Sequence, residues 1–321
     1  MATLNTTLNT NTTESSGLSV EMKQYYDRKM LENMKPILIH QQFGQKRPMP
    51  AHNGKTIEFR RWTPFGALTT PLTEGVPPEG QEMSATNLTA TVSQYGGFVA
   101  VSDMLDLTSI DPAYSDAATM MGEQGALTLD TLTRDELHTC PHVIYAGAKT
   151  SRAELAPTDK ITSLEIRKAV RTLKKNLAPL YRKGAKGYYV AIIGPDTEFD
   201  LMDDPTWVDV AKYQDKEKIY YGEIGMLYGC KIICNTQAKI FKGAGADGAD
   251  VASTLVFGRE SYGLIDIEGK GNVQMKLKPA GSAGSQDPLD QVNTVGWKVM
   301  AYTCKILQPA FMVRIESGFS A

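Results

Sequence analysis

"LTEGVPPEG", residues 72–80, holds two glycines, two prolines and two glutamates in nine positions and offers almost nothing a core would bury. Strand-like runs lie on both sides of it. Upstream, "GKTIEFRRW" (54–62) sets Ile57 and Phe59 between the polar Thr56, Glu58 and Arg60. Downstream, "NLTATVSQYGGFVAVSD" (87–103) resumes the alternation through Leu88, Ala90 and Val92, then Phe98 and Ala100. A period of two puts alternate side chains on opposite faces of a strand. Residues 51–103 therefore read as one long hairpin, with legs at 56–61 and 88–101 and a tip at 73–80. Legs of about ten to fourteen residues would reach about 30–45 Å. A lone ribbon of that size is only marginally stable in water. Its support is either another molecule or its own domain, and the alternation fits both.

The hairpin divides a polar front from a long helix. Residues 1–17 are Thr, Asn and Ser with little to bury and read as a disordered arm. Residues 18–39 then place Val20, Met22, Tyr25, Tyr26, Met30 and Leu31 at helical spacing, ended or bent near Pro36. After the hairpin, Asp111 and Pro112 form a helix-start signal for residues 111–139, about 40 Å of rod if helical throughout. Gly122, Gly125 and several threonines weaken its intrinsic propensity, so packing must hold it. Ala117, Ala118, Met121, Leu129 and Leu132 give it a narrow contact face.

From residue 161 the pattern becomes that of a compact α/β unit. Thr162 and Glu165 form a capping-box pair at the head of a helix with Ile166, Val170, Leu173 and Leu177 on one face. The strand "GYYVAIIGP" (187–195) follows, then helical "TEFDLMDD" (197–204) and a series of late strands ending in "AFMVRIES" (310–317). The organisation is an arm at 1–50, the hairpin at 51–103, a long-helix region at 104–160, and an α/β region at 161–321 whose late strands return to the helix region.

Composition removes several classes of function. Lys and Arg number 34 against 36 Asp and Glu, so no global field draws the chain to polyphosphate or an anionic membrane. Apolar runs are strand-length, far below the roughly 20 residues of a membrane span. No basic and apolar leader opens the chain, and its four cysteines lack framework spacing, which fits synthesis in a reducing cytoplasm.

No catalytic, cofactor or metal set assembles from the sequence. "GAGADG" (243–248) matches the dinucleotide fingerprint, but a strand-like run follows where the phosphate needs a helix N-terminus, so it reads as a glycine loop. His138, Cys140 and His142 have ligand chemistry, yet Pro141 breaks the helix and no further pair stands at ligand spacing. They read as packed residues at a helix end. All four histidines precede residue 143, and Asp203 and Asp204 read as the polar end of a helix before Pro205. On the first α/β helix, Arg167, Arg171, Lys174 and Lys175 form a solvated face, or else a local patch toward enclosed nucleic acid.

The order of arm, exposed hairpin, rod-like helix and α/β unit resembles the α+β fold of Hong Kong 97-type tailed-phage major capsid proteins. Residues 25–62, 72–80 and 91–108 are similar to the coat proteins of N-four-like coliphages. The resemblance implies an N-terminal arm, an extended loop, a peripheral domain with its spine helix, and an axial domain. It also implies a non-enzymatic coat subunit, made in the host bacterial cytoplasm, that forms the pentamers and hexamers of an icosahedral head. Its implied partners are further copies of itself, a scaffolding protein, a portal and packaged double-stranded DNA read without sequence specificity. Thr56, Ile57, Phe59, Arg60, Arg61, Thr73, Glu74, Glu79, Val92, Tyr95 and Phe98 then become inter-subunit contacts, with Gly96 and Gly97 bending the second leg. Lys55 stands at the hairpin base, so Lys–Asn cross-linking is not expected. An encapsulin-like cargo compartment and a cytoplasmic α/β enzyme are the alternative readings.

Overall fold

A computed structural model describes residues 10–11, 39–50, 52, 54–63, 65–72, 74–109, 113–183, 186–205, 207, 223–267, 274–282 and 287–320. The helix expected over residues 18–39 lies, apart from Ile39, outside the described residues, as do the Asp111 and Pro112 start signal and Thr73.

The early strands are β1 (Thr10–Asn11), β2 (Gln45–Met49), β3 (Thr56–Trp62), β4 (Ala85–Thr91) and β5 (Ser93–Ser102). Helices α1 (Asp103–Thr108) and α2 (Ala113–Leu137) follow. After β6 (Val143–Tyr145) come α3 (Ser163–Lys175), β7 (Tyr181–Lys183), β8 (Lys186–Ile193) and α4 (Pro195–Met202). The remaining strands are β9 (Glu223–Leu227), β10 (Cys230–Cys234), β11 (Ile240–Phe241), β12 (Val251–Phe257), β13 (Tyr262–Ile267), β14 (Gln274–Lys278), β15 (Val292–Ile306) and β16 (Met312–Ser317).

Eight strands form one sheet in the order β6-β16-β12-β8-β10-β9, with β11 added to β12 and β7 to β8. Central strand β8 carries a continuous apolar run, and β12 is buried at every position, Ser253 and Thr254 included, because both faces of the sheet are covered. Tyr189, Ala191 and Ile193 of β8, Val256 of β12, and Val313 and Ile315 of β16 pack with Ile166, Val170 and Leu173 of α3. The alternate residues Val190, Ile192, Leu255, Phe257 and Met312 face the other way, into a core shared with Leu129 and Leu137 of α2. The Thr162–Glu165 capping box forms as expected at the head of α3. Leu177 departs from the expected helix face: α3 ends at Lys175, and Leu177 lies past the cap at φ 55°, 86% exposed.

The second sheet has six strands, β1-β5-β15-β13-β2 with β14 also on β15. Residues 10–11 of the expected disordered arm form a short parallel strand on Ala100 and Val101 of β5. Helix α2 crosses this sheet on a narrow buried stripe through Leu129, Thr133 and Leu137. Polar side chains fasten it to β15: Trp297 Nε1 donates to Gln124 Oε1 at 2.9 Å, Thr133 meets the Tyr302 hydroxyl at 2.6 Å, and Lys305 pairs with Glu136 at 2.8 Å. Next to them, His40 donates its backbone N–H to Asp130 Oδ1 at 3.0 Å, and its ring Nδ1 lies 2.8 Å from Oδ2, all fully buried. Asn235, just after β10, stands 3.1 Å from the same ring nitrogen. Three distant parts of the chain thus meet at one histidine.

The hairpin is shorter than its alternation implied. β3 and β4 pair over seven residues each, Thr56 opposite Thr91 through Trp62 opposite Ala85. That is about 23 Å of ladder. At Val92 the chain leaves the ribbon, and β5 pairs antiparallel with β15 instead. The expected leg at 88–101 is therefore two strands in two sheets. Gly96 and Gly97 do not bend the hairpin; they sit inside the β5–β15 ladder opposite Lys298 and Trp297. A Cβ on Gly96 would fall 2.9 Å from the Trp297 backbone oxygen, and one on Gly97 3.4 Å from its indole nitrogen. Since backbone cannot yield as a side-chain tip does, Gly96→Ala is expected to cost about 1–3 kcal/mol by overpacking. A lowered urea midpoint at unchanged slope measures it.

Candidate inter-subunit surface

Cross-strand pairs give the ribbon two chemically different faces. Ile57 opposite Ala90 and Phe59 opposite Leu88 share one face. Ile57, Phe59 and Ala90 pack there with Met49, Val92, Ile265 and Ala301. Arg61 belongs to the same face and donates to Gln308 Oε1 at 2.9 Å. The other face carries Thr56, Glu58, Arg60 and Trp62, all exposed. Among the described residues, neither β3 nor β4 has a further strand partner. Among these residues the ribbon's two outer edges keep unpaired backbone donors and acceptors.

Beyond the ladder the chain opens into a loop with no regular structure among its described residues. The turn at residues 74–75 holds Gly75 at φ 77°, a left-handed conformation that glycine adopts without strain. Around it the large side chains are uncovered: Phe65 is 55% exposed, Leu68 81%, Leu72 76%, Val76 61% and Met83 63%. Isolated exposed apolar residues are ordinary on protein surfaces, whereas these five lie together on one loop.

The expected contact residues divide accordingly. Thr56, Arg60, Glu74, Glu79 and Phe98 are exposed, and Arg61 is exposed but tethered to Gln308. Ile57, Phe59 and Val92 are instead used by the chain's own core, and Tyr95 packs into the cluster under α2. They turn inward because the ribbon's apolar face meets β2, β13 and β15 of the same molecule. Phe65, Leu68 and Met83 are also uncovered and were not anticipated: they fall in the proline- and glycine-studded stretch with no strand or helix period to flag them, whereas Trp62 closes β3 on its exposed face.

The basic face of α3 stands as the spacing implied, with Arg167, Arg171, Lys174 and Lys175 exposed opposite the buried Ile166, Val170 and Leu173. Arg167 lies over the Tyr228 ring at 5.8 Å. "GAGADG" is a turn and one short 3₁₀ segment, Ala246–Gly248, leading into β12. Among the described residues, no three His, Cys, Asp or Glu side chains gather closely enough to share a metal ion. No helix among them is long and apolar enough to cross a membrane.

His138 and Cys140 face inward, the thiol toward the Met312 carbonyl at 3.4 Å and the His138 ring Nδ1 toward the Arg134 carbonyl at 2.7 Å. Burial drives the His138 pKa down to about 3; the Arg134 carbonyl opposes the shift, and His40, Arg314 and Arg134 add to it by charge. A base with a depressed folded pKa takes up its proton only on unfolding. Its stabilising share is present above pH 6.5 and lost progressively as pH falls toward 3. His138→Gln is expected to flatten the loss of stability between pH 6 and 4 by up to about 1.4 kcal/mol per pH unit. Urea titrations at stepped pH read that slope.

Against known proteins, a family model described as phage capsid protein matches residues 86–315. A sequence search of curated proteins finds no match. Among solved structures, the capsid of Ralstonia phage GP4 superposes with a TM-score of 0.71 at 15% identity, over 87% of this chain and 88% of that one. The capsid of cyanophage P-SCSP1u gives 0.70 at 14% identity, over 92% and 93%. The cyanophage Pam1 capsid gives 0.68 at 15% identity, over 93% and 96%.

Proposed function

This chain belongs to the phage capsid protein family, and from that premise we propose that it is the major coat subunit whose pentamers and hexamers close an icosahedral head around double-stranded DNA. Its fold is α+β and of the Hong Kong 97 capsid type, and its place is the virion. The observation that carries the reading is the projecting loop: a ribbon with open edges, ending in uncovered Phe65, Leu68, Leu72, Val76 and Met83. Each such side chain gains about 1.5–3 kcal/mol when fully buried. A neighbouring copy supplies that burial, repeated at every subunit, so each contact need be only modest.

The finer parts follow from the same reading. The arm is 1–50, the extended loop 51–103, the peripheral domain with spine helix α2 104–160, and the axial domain 161–321. The role is structural rather than catalytic, and synthesis takes place in the host cytoplasm. A scaffolding protein and a portal are its assembly partners, and the α3 face of Arg167, Arg171, Lys174 and Lys175 meets packaged DNA through phosphates alone. The subunit is of the N-four-like coat-protein kind, a reading supported by residues 25–62, 72–80 and 91–108.

Expression of the chain alone and with a scaffolding protein tests this by sedimentation, negative-stain microscopy and hydrogen exchange. Shells or capsomers are expected, with residues 65–83 exchanging fast in free protomers and slowly in particles. A persistent monomer whose loop is as protected as its core would overturn the assignment.

A further inference from the structure

On the face of the six-stranded sheet turned away from α2, strands β5, β14 and β15 enclose a groove of about 760 Å³. Gly96 and Gly296 line it without side chains, and Phe98, 59% exposed, stands beside them. Three lysines, Lys276, Lys278 and Lys298, line it as well. Register places them together: Lys276 lies opposite Gly296, and Lys298 opposite both Gln274 and Gly96. Among the described residues none of these lysines is ion-paired. Asp287, the acid among the described lining residues, accepts from the Val292 backbone N–H at 2.9 Å. Among the described residues the groove thus sets three ammonium groups against one carboxylate, beside an uncovered aromatic ring and two side-chain-free strand positions.

The chain itself carries the matching shape and charge. Between residues 63 and 94 there is no Lys, Arg, His or Asp, and the ionisable side chains are Glu74, Glu79 and Glu82. They are interspersed with uncovered Leu72, Val76 and Met83 on an exposed, proline-stiffened segment.

We propose that the groove of Lys276, Lys278 and Lys298 is the receptor for the glutamate-bearing loop tip, residues 72–83, of a second copy. This rests on the reading above that the tip touches a neighbouring copy; it adds which surface receives it and by what chemistry. The carboxylates meet the ammonium groups at the rim while Leu72 and Val76 lie against Phe98 and the glycine floor. A contact that joins one patch to a different patch runs head to tail, and so closes rings of subunits when the rotation permits.

The test reverses charge on each side separately and then together, in the full chain. All six side chains are exposed or rim positions, so circular dichroism and the urea midpoint are expected to stay at wild-type values. The variant Lys276→Glu/Lys278→Glu/Lys298→Glu is expected to yield at least ten-fold fewer particles at physiological salt. So is Glu74→Lys/Glu79→Lys/Glu82→Lys. The six-fold variant, with both sides reversed, is expected to recover most of the yield. Carbodiimide treatment of wild-type particles is expected to join tip glutamates to these lysines between differently labelled subunits.

Normal assembly of the lysine variant would sink the groove assignment alone if a chain without residues 73–80 still fails to assemble. Particles from that tip-deleted chain would remove the assembly reading beneath it too. Loss of particles without recovery in the six-fold variant, or loss of retained nucleic acid at full particle yield, would assign the groove to a different occupant and overturn the proposal.

Discussion

A chain lacking residues 73–80 is expected to fold normally and to lose particle formation by at least two orders of magnitude. The deletion removes Val76 and two of the three tip glutamates from a loop that makes no described contact with the chain's own cores. Loop closure depends only weakly on length, so shortening this loop alters folding stability by less than about 1 kcal/mol. The ribbon itself is held by Ile57, Phe59 and Ala90 against Met49 and Ile265, none of which the deletion touches. Assembly is different because the loss recurs at every subunit, and a closed shell needs all its contacts at once. Sedimentation, microscopy and a urea titration on one preparation separate the two effects. A normal midpoint with no particles is the expected result; abundant shells would show that the tip is dispensable.

The second large effect is in the interior. Asp130→Ala is expected to destabilise the fold by about 3–5 kcal/mol, because it leaves a buried backbone N–H and a buried imidazole nitrogen with no acceptor. Both carboxylate oxygens are in use, at 3.0 Å to the His40 N–H and 2.8 Å to its Nδ1. The Tyr262 hydroxyl, which donates to the His40 carbonyl, loses its positioned partner as well. A loss of that size is a large part of a typical net stability of about 5–15 kcal/mol. Asp130→Asn keeps one acceptor and is expected to cost less than the alanine variant. The order is read from urea midpoints or, if the alanine variant does not accumulate, from soluble yield. A cost below about 1 kcal/mol would show that residues 39–49 hold to the body by other means.

What was legible beforehand had a local physical cause. The capping box at Thr162 and Glu165, the apolar face of α3, the long helix and the unbroken apolar run of β8 each depend on residues close in sequence. Alternation over 87–103 correctly revealed extended chain, yet it hid the change of partner at Val92. A period of two tells which side chains share a face, and says nothing about which strand lies alongside. The partner of β5 is β15, almost 200 residues away, and the only local trace of it was Gly96 and Gly97 making room for Trp297. Ile57 and Phe59 were misplaced for the same reason: an apolar face announces burial without naming the molecule that provides it. The His40 site was invisible because its members stand 90 and 195 residues apart and form no motif. The lysine groove arises the same way, from single residues on separate strands.

The position of β15 has a consequence for synthesis. One edge of this strand takes β5, and the other takes β14 and then β13. While the ribosome is still translating the residues before 292, β5 has no neighbour on that side and α2 lacks the strand that meets Gln124, Thr133 and Glu136. The ribbon therefore cannot reach its final attitude before translation has passed residue 306. A chain that stops before residue 292 lacks Ala301, against which the ribbon is set, and the partner that fixes β5.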